Sequence, residues 1–269
     1  MMTRIDILIV PGLRSSAAKA ARILADSGYD VIFLNLPMNL QPLISEYASG
    51  SISLRELVSR MERLRLIPES VTSWLYLNEP LLKMLGRMDK PIKAYCYVDV
   101  DYYHVLIEAA VRVARLTFKV NVTDRIDVNE WISVLREHIR PEVAEQEAEF
   151  ISLKARGDSI CITGLSGWRI ARILKEFGHE VKVRSAERLY LFKPLEILQA
   201  LMERGSLTRK VAEELIREHV RFIRDYVLTS QNLDKAYYSW INARNRIVNL
   251  LCHVDQSERP LNPSISQRY

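Results

Sequence analysis

Glycine is scarce, with 9 in 269 residues, and it nowhere gathers into a phosphate cradle. The chain has no Gly-x-Gly-x-x-Gly run and no P-loop lysine motif. Cysteine is rarer still. Cys96, Cys161 and Cys252 are far apart and lack Cys-x-x-Cys spacing, which excludes a disulfide framework and implies reduced thiols in a cytoplasmic protein. No apolar run approaches eighteen residues without a charge, so no membrane-spanning helix is expected. The first apolar run has no basic region before it and reads as a strand, not a signal peptide. A Gly-x-Ser-x-Gly elbow is also missing, and the five histidines show no pairing with Ser166 in "GLSGW".

The charge balance is mild, at +5 with 38 basic and 33 acidic side chains. Arginine mostly alternates with glutamate along helices. That pattern suits the ion-paired surface of a heat-adapted protein better than a nucleic-acid groove.

The chain contains one local pattern twice. Residues 7–34 read "ILIVPGLRSSAAKAARILADSGYDVIFL" and residues 160–183 read "ICITGLSGWRIARILKEFGHEVKV". Each has a β-branched run, a Gly-Leu turn with serine, a helix through Ala-Arg-Ile-Leu, and a glycine turn into a second apolar run. Strands and helices alternate between the two copies. This predicts an α/β fold with a largely parallel sheet flanked by helices, and a C-terminal helical hairpin. The boundaries expected are an α/β domain over 1–193, a helical extension over 194–256 and a polar tail over 257–269.

Strands are expected near 5–10, 31–35, 71–77, 92–98, 160–163, 180–183 and 189–192. Pro80 is expected to open a helix near 80–88. Asp127 should cap a charge-rich helical region to about residue 155, broken at Pro141. Ser15 or Ser16 should cap the first helix, and Ser53 with Glu56 a later one. Trp74 and Trp131 should be core. Val211, Leu215, Phe222 and Tyr226 recur at helical spacing and read as a partner face. Tyr237, Tyr238 and Trp240 read as packing for a helix hairpin or subunit interface.

Three sites invite chemistry. The two Gly-Leu turns lie where strands run into helices, and the backbone N–H groups there favour anions; Arg14, Ser15 and Ser166 stand beside them. Asp99, Asp101 and His104 follow a strand within "CYVDVDYYH". They offer either a helix cap with its first turn or an oxygen-and-imidazole metal site. A third reading has phosphates, including those of nucleic acid, held by Arg14 and the two turns.

The stretch "VPGLRSSAAKAARILADSGYDVIFLNLPMNLQPLI", with "KPIKAYCYVD" later, resembles the TraB/ChaN/erythromycin-esterase-like superfamily over roughly residues 5–185. In that superfamily a histidine follows the first strand, a glutamate ends the second, and a late histidine precedes a helix. This chain has Leu13-Arg14-Ser15, Asn35 and Ser166-Gly167 at those places. Asn and Ser lack the basicity for metal ligation or general-base work, and Arg14 stays protonated. The resemblance therefore implies a member without catalytic residues, with no cofactor or an unknown one, acting in ligand binding or scaffolding. Its pocket would be lined by Arg14, Ser15, Asn35, Asp99, Arg125 and Ser166, and would suit a small anion. The chain is expected to assemble as a homo-oligomer through its C-terminal helices. The alternative is a hydrolase using a divalent metal at Asp99, Asp101 and His104.

Overall fold

The computed structural model describes residues 3–88, 92–137 and 139–244. Five strands form one parallel sheet: β1 (Arg4–Ile9), β2 (Val31–Pro37), β3 (Lys93–Val98), β4 (Asp158–Thr163) and β5 (Glu180–Ser185), in the order β3-β2-β4-β1-β5. β1, β2 and β4 are the apolar, β-branched runs. All three are covered on both faces, which is why they read as continuous hydrophobic segments and not as alternating ones.

On one face lie α1 (Arg14–Ala25), α2 (Gln41–Ala48), α3 (Leu54–Leu64) and α4 (Val71–Leu85), packed on Leu8, Ile32, Leu34 and Ile162. On the other lie α7 (Pro141–Lys154) and α8 (Gly167–Glu176), packed on Ile5, Ile7, Phe33, Tyr97 and Cys161. Gly167 lets α8 close on the sheet. A Cβ there would press into Thr163 Cγ2 and stand 3.2 Å from Ile9 Cγ1.

A third core joins α5 (Val100–Thr123), α6 (Val128–Arg136), α9 (Pro194–Glu203) and α10 (Arg209–Phe222) around Trp131, Ala109, Leu198 and Ile216. The compact unit that includes these helices runs to Val220, so the boundary expected at 193 falls inside it. Val211 and Leu215 pack into this third core, so the α10 face expected to meet a partner is used within the chain. A second unit begins at Arg221. There a π-helical turn (Ile223–Val227) leads to α11 (residues 233–244), and Phe222, Tyr237 and Trp240 are buried together, with Phe222 and Trp240 rings 5.4 Å apart. The expected tail at 257–269 and the extension beyond residue 244 lie outside the described residues.

Two expected strands are not strands. "VTSWLYL" is the first half of α4, with Val71, Trp74, Leu82 and Leu85 buried at helical spacing and Pro80 inside the helix. Packing of that stripe overrides the local β-propensity. Residues 189–192 form a loop in which Leu189 is 93% exposed, because no neighbouring strand lies beside it to supply a ladder.

The caps follow the sequence in part. Asp99, Asp127 and Ser53 accept backbone N–H bonds at the starts of α5, α6 and α3. α1 starts after Leu13 with no side-chain cap. Ser16 instead donates to Glu187 Oε1 at 2.9 Å, so neither serine caps the helix as expected.

Candidate functional site

The two Gly-Leu turns sit side by side. β1 and β4 are adjacent and in register from Arg4↔Asp158 to Ile9↔Thr163, and Val10 N–H donates to the Thr163 carbonyl at 2.8 Å. From there the chain goes to opposite faces, into α1 and into α8. That divergence is the topological switch point of an open α/β sheet, where ligands ordinarily bind.

Beside the switch point the structure leaves only a narrow space. The cavity lined by Asn35, Asn78, Leu81 and Ile162 measures about 30 Å³, room for about one water. The cause is α4. Pro80 has no N–H to give to the carbonyl of Tyr76 four residues back. The Arg14 guanidinium donates to that carbonyl, bonds to Glu79, and lies 5.1 Å from the Tyr76 ring centre. Arg14 therefore anchors α4. Lys83 and Arg14 together hold the Glu79 carboxyl below its ordinary range.

The other expected residues spread along the rim and beyond it. Asn35 is exposed, and its amide nitrogen lies 3.9 Å from where a Cβ on Gly164 would stand. Ser15 is half-buried in the first turn of α1. Ser166 is exposed at the start of α8, and its side chain makes no cap bond. Arg125 follows the far end of α5, whose 24 residues span about 36 Å, so it takes no part in the rim. Asp99 caps α5, while Asp101 in its first turn and His104 just beyond it are exposed. Among the described residues no group of three or more His, Cys, Asp and Glu side chains is arranged to hold a metal ion.

A different set of residues gathers at the ends of β3 and β4, on the α7 side. Glu147 points inward from α7. Burial first, and the neighbouring Asp99 carboxylate second, push its carboxyl up to about 8, so it is protonated at neutral pH. Among the described residues no hydrogen bond or ion pair engages it. Tyr102, raised chiefly by burial, feels Glu147, Arg140, Arg169 and Glu203, which brings α5, α7, α8 and α9 to one place. Arg169 pairs with Glu203 at 3.1 Å.

Below this set, Tyr97 donates to the Ile162 carbonyl at 3.1 Å. β2 and β4 pair only over Val31–Phe33, so the Tyr97 hydroxyl takes the place of a missing strand donor. Burial raises Tyr97 and Cys161 well above their ordinary values, so neither is a ready nucleophile.

No family model matches the chain, and neither a curated protein nor a solved structure matches it.

The pattern that reveals Glu147 is in the sequence. Val143, Glu147 and Ile151 recur every four residues, which puts the half-buried Glu147 on the same face of α7 as the buried Val143 and Ile151. Its charged neighbours Glu142, Glu145 and Glu149 disguise it. A serine–histidine pair, Ser152 Oγ and His179 Nε2 at 2.7 Å, carries no catalytic reading. His179 Nδ1 is buried without a partner, which favours the tautomer in which Nε2–H donates to the serine and leaves it unactivated.

Proposed function

We propose that this chain binds a small, oxygen-rich anion such as a hydroxycarboxylate at the carboxyl ends of β3 and β4, without metal-assisted hydrolysis. The geometry that carries this reading is the meeting of Glu147, Asp99, Tyr102, Arg140 and Arg169 at one place, with the half-buried Glu147 carboxyl pushed up to about 8. A protonated carboxyl donates a hydrogen bond to a ligand oxygen, and a neighbouring carboxylate oxygen accepts one from a ligand hydroxyl. Arg140 and Arg169 supply positive charge from the same side as Tyr102. The reading fits a member of the TraB/ChaN-like superfamily that has lost its basic groups. The places where the resemblance expects them hold Arg14, Asn35 and Ser166, and Arg14 is committed to α4.

The test is thermal denaturation and calorimetric titration with panels of hydroxycarboxylates and sugar phosphates. At least one should raise the melting temperature of the native chain, and Glu147→Gln together with Arg169→Ala should weaken its binding at least about tenfold. No stabilisation by any member of either panel would overturn the reading. So would divalent-metal-dependent turnover of ester, phosphoester or peptide substrates that is lost in Asp99→Ala.

A further inference from the structure

The two edges of the sheet are treated differently. At β3 the Gln41 side chain acts as a short false strand: its amide nitrogen donates to the Ala94 carbonyl at 3.0 Å and its oxygen accepts from Cys96 N–H at 2.7 Å. That edge is capped at its centre. At β5 the residues facing β1 are Glu180, Lys182, Arg184 and Ala186, as the bonds from Glu180 N–H to Thr3 and from Ala186 N–H to Ile9 show. The N–H groups of Val181, Val183 and Ser185 therefore point outward, and among the described residues no backbone group pairs with them. An open row of this kind is a template for another strand.

We propose that β5 pairs antiparallel with β5 of a second copy of this chain, across a two-fold axis at Lys182, giving a ten-stranded sheet. This is independent of the ligand reading.

Three features select that occupant and that register. Glu180 then stands opposite the partner's Arg184, an acid against a base on the same face. Val181 stands opposite the partner's Val183 on the other face. The two Lys182 side chains meet at the axis, each in register with Asp6 of its own β1, a carboxylate already bonded to Arg184 and Tyr29, so their repulsion is relieved only by their exposure to water. Exposed apolar residues also flank β5 at both ends: Phe177 before it, and Leu189, Leu191 and Phe192 after it. Antiparallel pairing brings the start of one strand to the end of the other, so Phe177 of each copy approaches the 189–192 loop of its partner. Parallel pairing would leave these two sets apart. An isologous contact also closes on itself and does not build fibres.

The experiment is sedimentation of the full chain, with circular dichroism as the folding control. A dimer is expected at micromolar concentration. Val183→Pro removes an outward N–H without touching the β1 ladder, and should raise the dimer dissociation constant at least about tenfold at unchanged helicity. Leu189→Glu, at a fully exposed position, should weaken the dimer without any cost to the fold. Lys182→Cys should form an intermolecular disulfide under mild oxidation, since residues facing each other across the axis lie within bridging range. A monomer overturns the proposal, whether its β5 amides exchange freely or are protected by another segment of the same chain. A dimer that withstands both Val183→Pro and Leu189→Glu, or in which Lys182→Cys does not cross-link, overturns it as well.

Discussion

Arg14 donates to the carbonyl of Tyr76, the carbonyl that Pro80 leaves without a helical partner. A residue at the first turn of α1 thus repairs a defect in the middle of α4, and this contact holds the two helices together over the switch point.

The two substitutions should therefore be coupled. Arg14→Ala leaves a part-buried carbonyl and the Glu79 carboxylate short of a donor, at a cost of about 2 kcal/mol. In a Pro80→Ala background the restored N–H supplies Tyr76, and the same Arg14→Ala change should cost about 1 kcal/mol less. Denaturant unfolding of the four proteins measures the difference. Equal costs in both backgrounds would refute the repair.

Glu147 makes the fold sensitive to alkali. In the folded chain it holds its proton to about pH 8, whereas its ordinary value is 4.5. The folded state binds more protons across that window, so stability falls as pH rises from about 4.5 to about 8, by on the order of 5 kcal/mol at most. Glu147→Gln should remove this slope, so that the variant overtakes the native chain near pH 8. Chemical denaturation at pH 5 and pH 8 tests the crossing.

His219 acts with the opposite sign. Burial first, then the charge of Lys193, lower it from 6.5 to about 4, and it packs edge-on against Trp131 with ring centres 5.8 Å apart. The unfolded chain takes up the proton first, so stability falls as pH drops from about 6.5 to about 4, by about 3 kcal/mol. Between pH 4.5 and 6.5 this opposes the Glu147 contribution. In Glu147→Gln the acid-side loss should stand alone, and a flat profile there would contradict the assignment.

Gly167→Ala should loosen the contact of α8 with β1 and β4, because its Cβ meets Thr163, Ile7 and Ile9 and no flexible side-chain end can yield. A loss of about 1–3 kcal/mol is expected. Gly12→Ala, whose Cβ meets nothing within 4 Å, is the matched control and should be close to neutral.

The strands were legible wherever apolar runs ended at proline, glycine or a capping carboxylate, as at Ile5, Val31, Lys93 and Ile160. Their parallel arrangement followed from the alternation with helices. The helix at 71–85 was not legible, because Pro80 reads as a helix start and "VTSWLYL" is rich in strand-forming residues. Only tertiary packing decides between the two. The adjacency of the two Gly-Leu turns was foreseeable from their repetition. The role of Arg14 was not, since its partners lie on α4 and are reached only through the fold. Glu147 was legible by its spacing from Val143 and Ile151, yet a helix with so many acids invites the reading that all of them face water.

The order of the strands also sets the timing of assembly. β1 is made first, but both of its neighbours, β4 and β5, come from the second half of the chain. On a ribosome the first strand must wait with both edges bare until residue 163 has emerged, and with one edge bare until residue 185, and loops of that span close slowly. Its run "IDILIV" is therefore the segment most in need of a chaperone during synthesis.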